Sequence, residues 1–191
     1  MLKPGAVVWR YDPILVGPAF PLASHVARFE KIATALEGAA RRVVVSLIEP
    51  YRKTERRMEK LFSWGQDLVQ DPDDAPETPE LLTRLSALSC SRGMTLEICG
   101  RERDYTSLGI VKTKCVDDRL LTELFGGEWP SKKDPGQRAA CRCIPSKDIG
   151  MVDTCTLGCT YCYATRSDKL AHARFHLHQP GSDSIVGDRR G

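Results

Sequence analysis

This sequence of 191 residues lacks several features that are typical of membrane, secreted or nucleic-acid-binding proteins. It has no run of eighteen apolar residues, so no membrane-spanning helix is expected. The N-terminal stretch MLKPGAVVW lacks the apolar core of a secretory signal, which predicts a cytoplasmic protein with reduced thiols. The net charge is only +3. Charge alone therefore does not indicate a nucleic-acid partner.

Cysteine is also absent before Cys90, yet the chain contains eight cysteines. In a reducing compartment such a number favours metal binding over disulfides. The thiols are Cys90, Cys99, Cys115, Cys141, Cys143, Cys155, Cys159 and Cys162. Cys90 falls at the end of a predicted helix and is expected to contribute only to packing.

Apolar patterning predicts alternating strands and helices up to residue 99. Strands are predicted at 7–9, 43–48 and 94–99, and helices at 22–37, at a basic stretch ending near 64, and at 78–89. Pro13 is expected to stop the first strand, and Thr78 is expected to cap the third helix. Further along, Asp117 is expected to cap a short helix that ends at Gly126, and a last helix is expected within 163–178.

This order of elements predicts an α/β fold, a parallel sheet with helices outside it. Three strands are few for a parallel sheet, which needs cover on both faces. We therefore expect a partial TIM-like (β/α) barrel, the C-terminal part of a larger barrel. A small open sheet completed by a partner chain is the alternative. The predicted domains are a partial barrel at 1–127, a cysteine-rich iron–sulfur lobe at 128–178 and a loose tail at 179–191.

The segment CTLGCTYC contains three closely spaced cysteines, Cys155, Cys159 and Cys162. Iron–sulfur clusters are held by thiolates from such runs. Gly158 permits a tight turn and a close approach of the backbone to a cluster. Zinc is a second interpretation, with Cys143 as a fourth ligand. Purely structural thiols are a third. The gap of three residues between the first two cysteines favours iron–sulfur.

Four further cysteines, Cys99, Cys115, Cys141 and Cys143, form a candidate second metal site. Cys99 closes a predicted strand, and the others lie in loops that follow it. In a barrel these positions converge at the carboxyl ends of the strands. A second cluster or a zinc ion fits such a set. The alternative is that Cys99 is a buried apolar thiol and the other three are ordinary loop residues.

Polar residues at the ends of the predicted strands are candidates for catalysis, because α/β enzymes keep their sites there. The candidates are Arg10, Tyr11, Asp12, Glu49 and Lys53, with Ser46 and Tyr51 beside them. A salt-bridge network at the barrel rim explains the same residues. His172 and His176 lie one helical turn apart but lack a carboxylate partner motif, which favours a solvated helix face.

Four segments resemble a bacterial family described only as domain of unknown function 1848. They are VVWRYDPI, FEKIATALEG, VVSLIEPYRKT and QRAACRCIPSKDIGMVDTCTLGCTYCYATRS. The resemblance implies a barrel-like fold and a C-terminal cysteine cluster similar to that of radical S-adenosylmethionine (radical SAM) and biotin synthase proteins. Members of the family are longer at the N-terminus, so this chain is expected to lack their first strands.

The radical SAM resemblance rests on residues 155–162. It implies that Cys155, Cys159 and Cys162 bind three irons of a 4Fe–4S cluster and that the fourth iron binds S-adenosylmethionine. Tyr161 would pack beside this cofactor, and an electron donor such as a flavodoxin or ferredoxin would be the partner. The chain departs from the pattern because the loop follows the strands and no glycine-rich S-adenosylmethionine motif is present. The alternative is a non-enzymatic module, structural or electron-transferring, with zinc or a closed cluster.

Overall fold

The computed structural model describes residues 3, 5–49, 54–55, 57–59 and 71–186. The described strands are β1 (Val8–Ile14), β2 (Arg42–Leu47), β3 (Thr95–Ile98) and β4 (Val111–Lys112). The helices are α1 (Leu22–Ala35), α2 (Glu77–Ser91), α3 (Asp118–Phe125) and α4 (Asp168–Leu177), with short 3₁₀ turns at Pro72–Asp74 and Thr106–Leu108. The strands form one parallel sheet in the order β1-β2-β3-β4.

The sheet confirms the α/β class, but its four described strands do not close into a barrel. The fourth strand, β4, was not predicted, because its two residues are too short to show a pattern. Among the described residues, every helix is too short or too polar to cross a bilayer.

Strand β1 is longer than the sequence predicts. We expected Pro13 to end the strand, but β1 continues through it to Ile14. The ladder with β2 changes register between Tyr11 and Ile14, and the Asp12–Pro13 peptide is cis. Beyond this irregularity Ile48 N–H donates to Ile14 O at 2.9 Å, so pairing resumes. Proline is tolerated here because it has no N–H to lose from the ladder at an irregular edge position.

One of the two predicted helix caps is present, and a further cap was not predicted. Asp117 caps α3 as predicted, because its carboxylate accepts the Arg119 N–H at 3.0 Å. Ser167 caps α4 by accepting the Leu170 N–H at 3.2 Å. The prediction that Thr78 caps α2 is wrong, because the helix begins one residue earlier and the Thr78 hydroxyl donates to Pro72 O at 2.6 Å.

One face of the sheet carries the apolar core. Helices α1 and α2 lie on this face and bury their apolar sides against it. The core includes Trp9 from β1, Val43 and Val45 from β2, Leu96 and Ile98 from β3, Phe29 from α1, and Leu82 and Leu85 from α2. The Phe29 ring stacks 4.5 Å from Trp9 and 5.1 Å from Tyr11, which fixes α1 over β1.

The opposite face, which we call the polar face, is lined by alternate residues of the same strands. The ladder places Arg10 beside Val44, and Val44 beside Glu97. Arg42 donates to Glu97 at 2.6 Å and lies 3.1 Å from Asp117. Apart from the buried Val44, the polar face therefore holds charged groups where the other face holds aromatic and aliphatic side chains.

The chain divides into two compact units, residues 1–49 with 67–146, and residues 50–66 with 147–191. The first contains the sheet with α1 to α3, and the second contains α4. The domain boundaries predicted at residues 127 and 178 stay predictions. The predicted basic helix belongs to the second unit. Glu55 and residues 57–59 are helical, whereas Lys53 and residues 60–70 lie outside the described part.

Candidate metal-binding sites

The two compact units divide the cysteines between them. Cys155, Cys159 and Cys162 belong to the second unit, and no other cysteine falls within its bounds. The first unit contains Cys99, Cys115, Cys141 and Cys143, together with Cys90. Cys90 is exposed near the end of α2, so the expectation that it packs is wrong. Each predicted thiol set therefore lies within one unit.

Arg10 joins two thiols on the polar face of the first unit. Cys99 directly follows β3, and Cys115 lies shortly after β4. Arg10 Nη1 donates to Cys115 Sγ at 2.8 Å, and Arg10 Nη2 donates to Cys99 Sγ at 3.5 Å. The guanidinium of Arg10 therefore contacts two sulfurs, one from the segment after β3 and one from the segment after β4.

Two more thiols reach this group from a loop. Cys143 Sγ accepts backbone N–H groups from Cys115 at 3.1 Å and from Val116 at 3.4 Å. Ile144 N–H donates to Val116 O at 3.2 Å, which holds the two segments side by side. Cys141 lies two residues before Cys143 in the same loop. The contacts connect Cys99, Cys115 and Cys143, and we call these three residues together with Cys141 the four-thiol cluster.

The thiols of the four-thiol cluster differ in their pKa values. The neighbouring Cys115 thiol lowers the pKa of Cys99 to about 6, and the Arg10 guanidinium acts in the same direction against burial. Cys99 in turn raises the pKa of Cys115, and burial adds to this effect. Burial also raises the pKa of Cys141. Cys99 therefore ionises more readily than Cys115 or Cys141, and anionic sulfur is the form that binds metals.

The structure separates the predicted strand-end residues. Asp12 lies with Arg10 on the polar face, where its carboxylate accepts from the Arg10 guanidinium and from Ser46 Oγ at 3.2 Å. Tyr11 faces the other way and its hydroxyl lies 3.0 Å from His25 Nδ1 among the core aromatics. Glu49 forms an ion pair with Arg138. Lys53 and Tyr51 lie outside the described residues.

The second unit contains the three cysteines of residues 155–162, which we call the triple-cysteine loop. Cys155 and Cys159 are exposed, and Cys162 is half-buried. Gly158 adopts a φ of +64°, and a Cβ added there would meet no atom within 4 Å. The glycine is therefore required by the backbone conformation and not by crowding. Tyr161 is half-buried beside Cys162.

Two buried residues fasten the ends of this loop. The Asp153 carboxylate accepts N–H groups from Arg166 at 2.5 Å and Ser167 at 3.0 Å, and Asp153 N–H donates to Ala164 O. Thr165 N–H donates to Cys162 Sγ at 3.2 Å, and Thr165 Oγ1 donates to Cys155 O at 3.3 Å. These hydrogen bonds hold the two ends of the loop together without any contribution from a metal.

These contacts also affect ionisation. Burial opposes the thiolate of Cys162, yet the N–H groups of Thr165 and Ala164 hold its pKa below the ordinary value. The N–H groups of Ser167 and Arg166 hold the pKa of Asp153 below its usual range. Arg57 from the short helical stretch donates to Cys159 O and Arg166 O, each at 3.5 Å. Sequence reasoning missed Asp153, Thr165 and Arg57, because they act on the loop backbone and belong to no cysteine motif.

In the described part of the chain, no group of three or more His, Cys, Asp or Glu side chains is arranged to hold a metal ion. Tetrahedral zinc with bonds of about 2.3 Å needs sulfurs roughly 3.8 Å apart. A preformed single-ion site is therefore missing among these residues. The thiolate ligands of an iron–sulfur cube bind different irons and stand further apart than the ligands of a single zinc ion. His172 and His176 are exposed, as predicted for a solvated helix face.

Residues 1–164 match a family described as Domain of unknown function (DUF1848). The match covers most of the chain, so the chain belongs to this family. It includes both thiol sets and the whole sheet. No curated protein and no solved structure matches the chain.

Proposed function

We propose that this member of the DUF1848 family is an iron–sulfur protein of the radical SAM type. Cys155, Cys159 and Cys162 would hold three irons of a 4Fe–4S cluster and leave the fourth iron without a thiolate. The observation that carries this proposal is the division of the cysteines, because the compact unit with the triple-cysteine loop has no fourth cysteine. When bound, the cluster supplies one electron for cleavage of S-adenosylmethionine.

The donor set fits such a cluster. All three cysteines lie on one short loop, and two of them are exposed. The loop backbone is held by Asp153 and Thr165 at its ends and by Arg57 at Cys159. The Thr165 N–H that donates to Cys162 Sγ would continue to stabilise a negative thiolate ligand. The chain's own part is therefore to present three thiolates on a loop with a fixed shape.

The same proposal includes a partial (β/α) barrel. Neighbouring strands follow each other in chain order, as barrel strands do. Parallel sheets are normally covered on both faces, yet α1 and α2 pack on one face only, and charged residues and thiols line the other. In a barrel that polar face would line the interior. Further strands, from a longer protein or a partner chain, would complete it.

Anaerobic reconstitution with iron and sulfide tests the cluster. We expect about four irons and four sulfides bound through the triple-cysteine loop, and an electron paramagnetic resonance spectrum of the reduced protein that changes when S-adenosylmethionine is added. The Cys159→Ala variant should lose this S-adenosylmethionine-sensitive signal. Cys90→Ser is the matched control, since Cys90 is an exposed thiol outside both sets.

The outcomes separate the proposal from its alternatives. A spectrum that ignores S-adenosylmethionine would leave a closed cluster with a structural or electron-transfer role. Stoichiometric zinc without iron in the triple-cysteine loop would overturn the cluster itself. Full signal in Cys159→Ala would show that the ligands are different.

A further inference from the structure

We propose that the four-thiol cluster is a second metal centre, in which Cys99, Cys115, Cys141 and Cys143 supply all four ligands. The centre would take a thiophilic metal, as a zinc ion or as a fully ligated iron–sulfur cluster, because both use four thiolates. It belongs to the first compact unit and does not depend on the function proposed for the triple-cysteine loop.

The contacts that join three of the four residues, and the place of the fourth in the same loop, carry the proposal. Arg10 contacts the sulfurs of Cys99 and Cys115, the Cys115 backbone donates to the Cys143 sulfur, and Cys141 lies two residues before Cys143. The ligands come from three chain segments far apart in sequence, so neighbouring positions in the chain do not explain their meeting. Cys99 and Cys143 are only 8% exposed. The centre would therefore be shielded on at least two sides.

The surroundings of these sulfurs suit negative charge. The two backbone N–H groups on Cys143 and the Arg10 guanidinium are donors that stabilise thiolate ligands. Asp12 holds the same guanidinium through its carboxylate, and Ser46 donates to that carboxylate. Arg10 is thus a positioning residue for the thiols, held in place by neighbours on the polar face.

Metal binding would also stabilise the long loop formed by residues 126–146. Residues 126–146 contain no helix or strand in the described structure, although Cys143 and Ile144 hold their end against residues 115–116. No three ligands are yet gathered as a single ion requires, so metal must draw the thiols together. Binding energy then becomes folding energy, and the loop should be more stable with metal than without it.

Thiol protection in the full chain tests the inference. The protein is loaded with zinc in one arm and with iron and sulfide in the other, then alkylated with iodoacetamide and mapped by mass spectrometry. We expect all four cysteines to react about tenfold or more slowly after loading in at least one arm, and Cys90 to react equally with and without metal. The arm that protects them identifies the metal. Any one of the four thiols reacting as fast as Cys90 in both arms overturns the proposal.

Variants give an independent measurement. In a background with Cys155, Cys159 and Cys162 all changed to alanine, one centre should still bind, and adding Cys143→Ser should abolish it. Circular dichroism checks that each variant folds. If the four-thiol cluster binds no metal in this background, the proposal for the triple-cysteine loop is unaffected, because its three cysteines are absent from the variant.

Variants of Arg10 provide a third test of the proposal. Arg10→Gln should weaken metal retention against a chelator by about tenfold to a hundredfold, and Arg10→Lys should recover part of it. A purely structural role for Arg10 would change the folded fraction without changing metal retention. Equal retention in folded Arg10→Gln and wild type would overturn the positioning role.

Discussion

Replacing Gly158 tests whether the shape of the triple-cysteine loop controls cluster binding. Its φ of +64° lies in the left-handed region, which costs a residue with a Cβ about 1–2 kcal/mol. A Cβ at this position meets nothing within 4 Å. The penalty of Gly158→Ala is therefore purely conformational, with no contribution from a clash.

A penalty of about 1–2 kcal/mol corresponds to a loss of roughly 5-fold to 30-fold in an equilibrium constant. We expect the affinity for the cluster to fall by this factor in Gly158→Ala. Gly158→Asn should fall less, because asparagine tolerates the left-handed region, and Gly158→Val should fall most, because it is β-branched.

The assay is reconstitution with limiting iron and sulfide, followed by visible absorbance and by iron content per chain. Gly181→Ala is the matched control, because Gly181 lies in the same unit, has no positive φ, and would place an added Cβ more than 4 Å from any neighbouring atom. If Gly158→Ala binds as tightly as the control, or if Gly158→Asn binds more weakly than Gly158→Ala, the loop conformation does not limit binding.

Two further predictions concern the first unit. Phe29→Ala should lower the free energy of unfolding by about 3–5 kcal/mol in urea titrations, because the ring is fully buried against Trp9, whereas exposed Phe125→Ala should have little effect. Burial lowers the pKa of His25 in the folded protein. The unfolded chain therefore binds the proton first as pH falls through about 6.5, and stability should decrease from that pH down to the folded pKa. Urea titrations at pH 7.5 and 5.5 should show this loss shrinking in His25→Gln and persisting in the exposed His172→Gln, and an unchanged loss in His25→Gln would contradict it.

Patterns that depend on local sequence predicted much of the fold. The continuous run rich in β-branched residues at 43–48 and the capping Asp117 predicted a strand and a helix start correctly, because burial and capping impose their own residue types. β1 was underestimated because Pro13 normally ends a strand, and only the ladder to β2 shows that the chain resumes pairing at Ile14. β4 was missed because its pairing with β3 is a tertiary property of two residues.

Local sequence patterns also predicted only part of the candidate sites. Spacing was enough to select the three cysteines of the loop, since local ligands need local spacing. The contact between Arg10 and Cys115 joins residues that are 105 positions apart in the sequence, and no local pattern indicates it. Likewise, the assignment of Tyr11 to the aromatic core follows from which face of β1 it occupies, which was uncertain until the strand boundaries were known.

The polar face limits which of the strand-end residues can act on a substrate. Arg10 already donates to two thiols and to Asp12, and Arg42 already binds Glu97, Asp117 and Thr113. A substrate carboxylate or phosphate would have to displace the carboxylates among these partners, Asp12, Glu97 and Asp117, each of which would then lose its counter-charge in a partly buried place. Both guanidiniums are thus better suited to hold thiols and loops than to bind an anionic ligand. The polar face is therefore poorly suited to recognise a substrate by its negative charge, which agrees with the positioning role proposed above for Arg10.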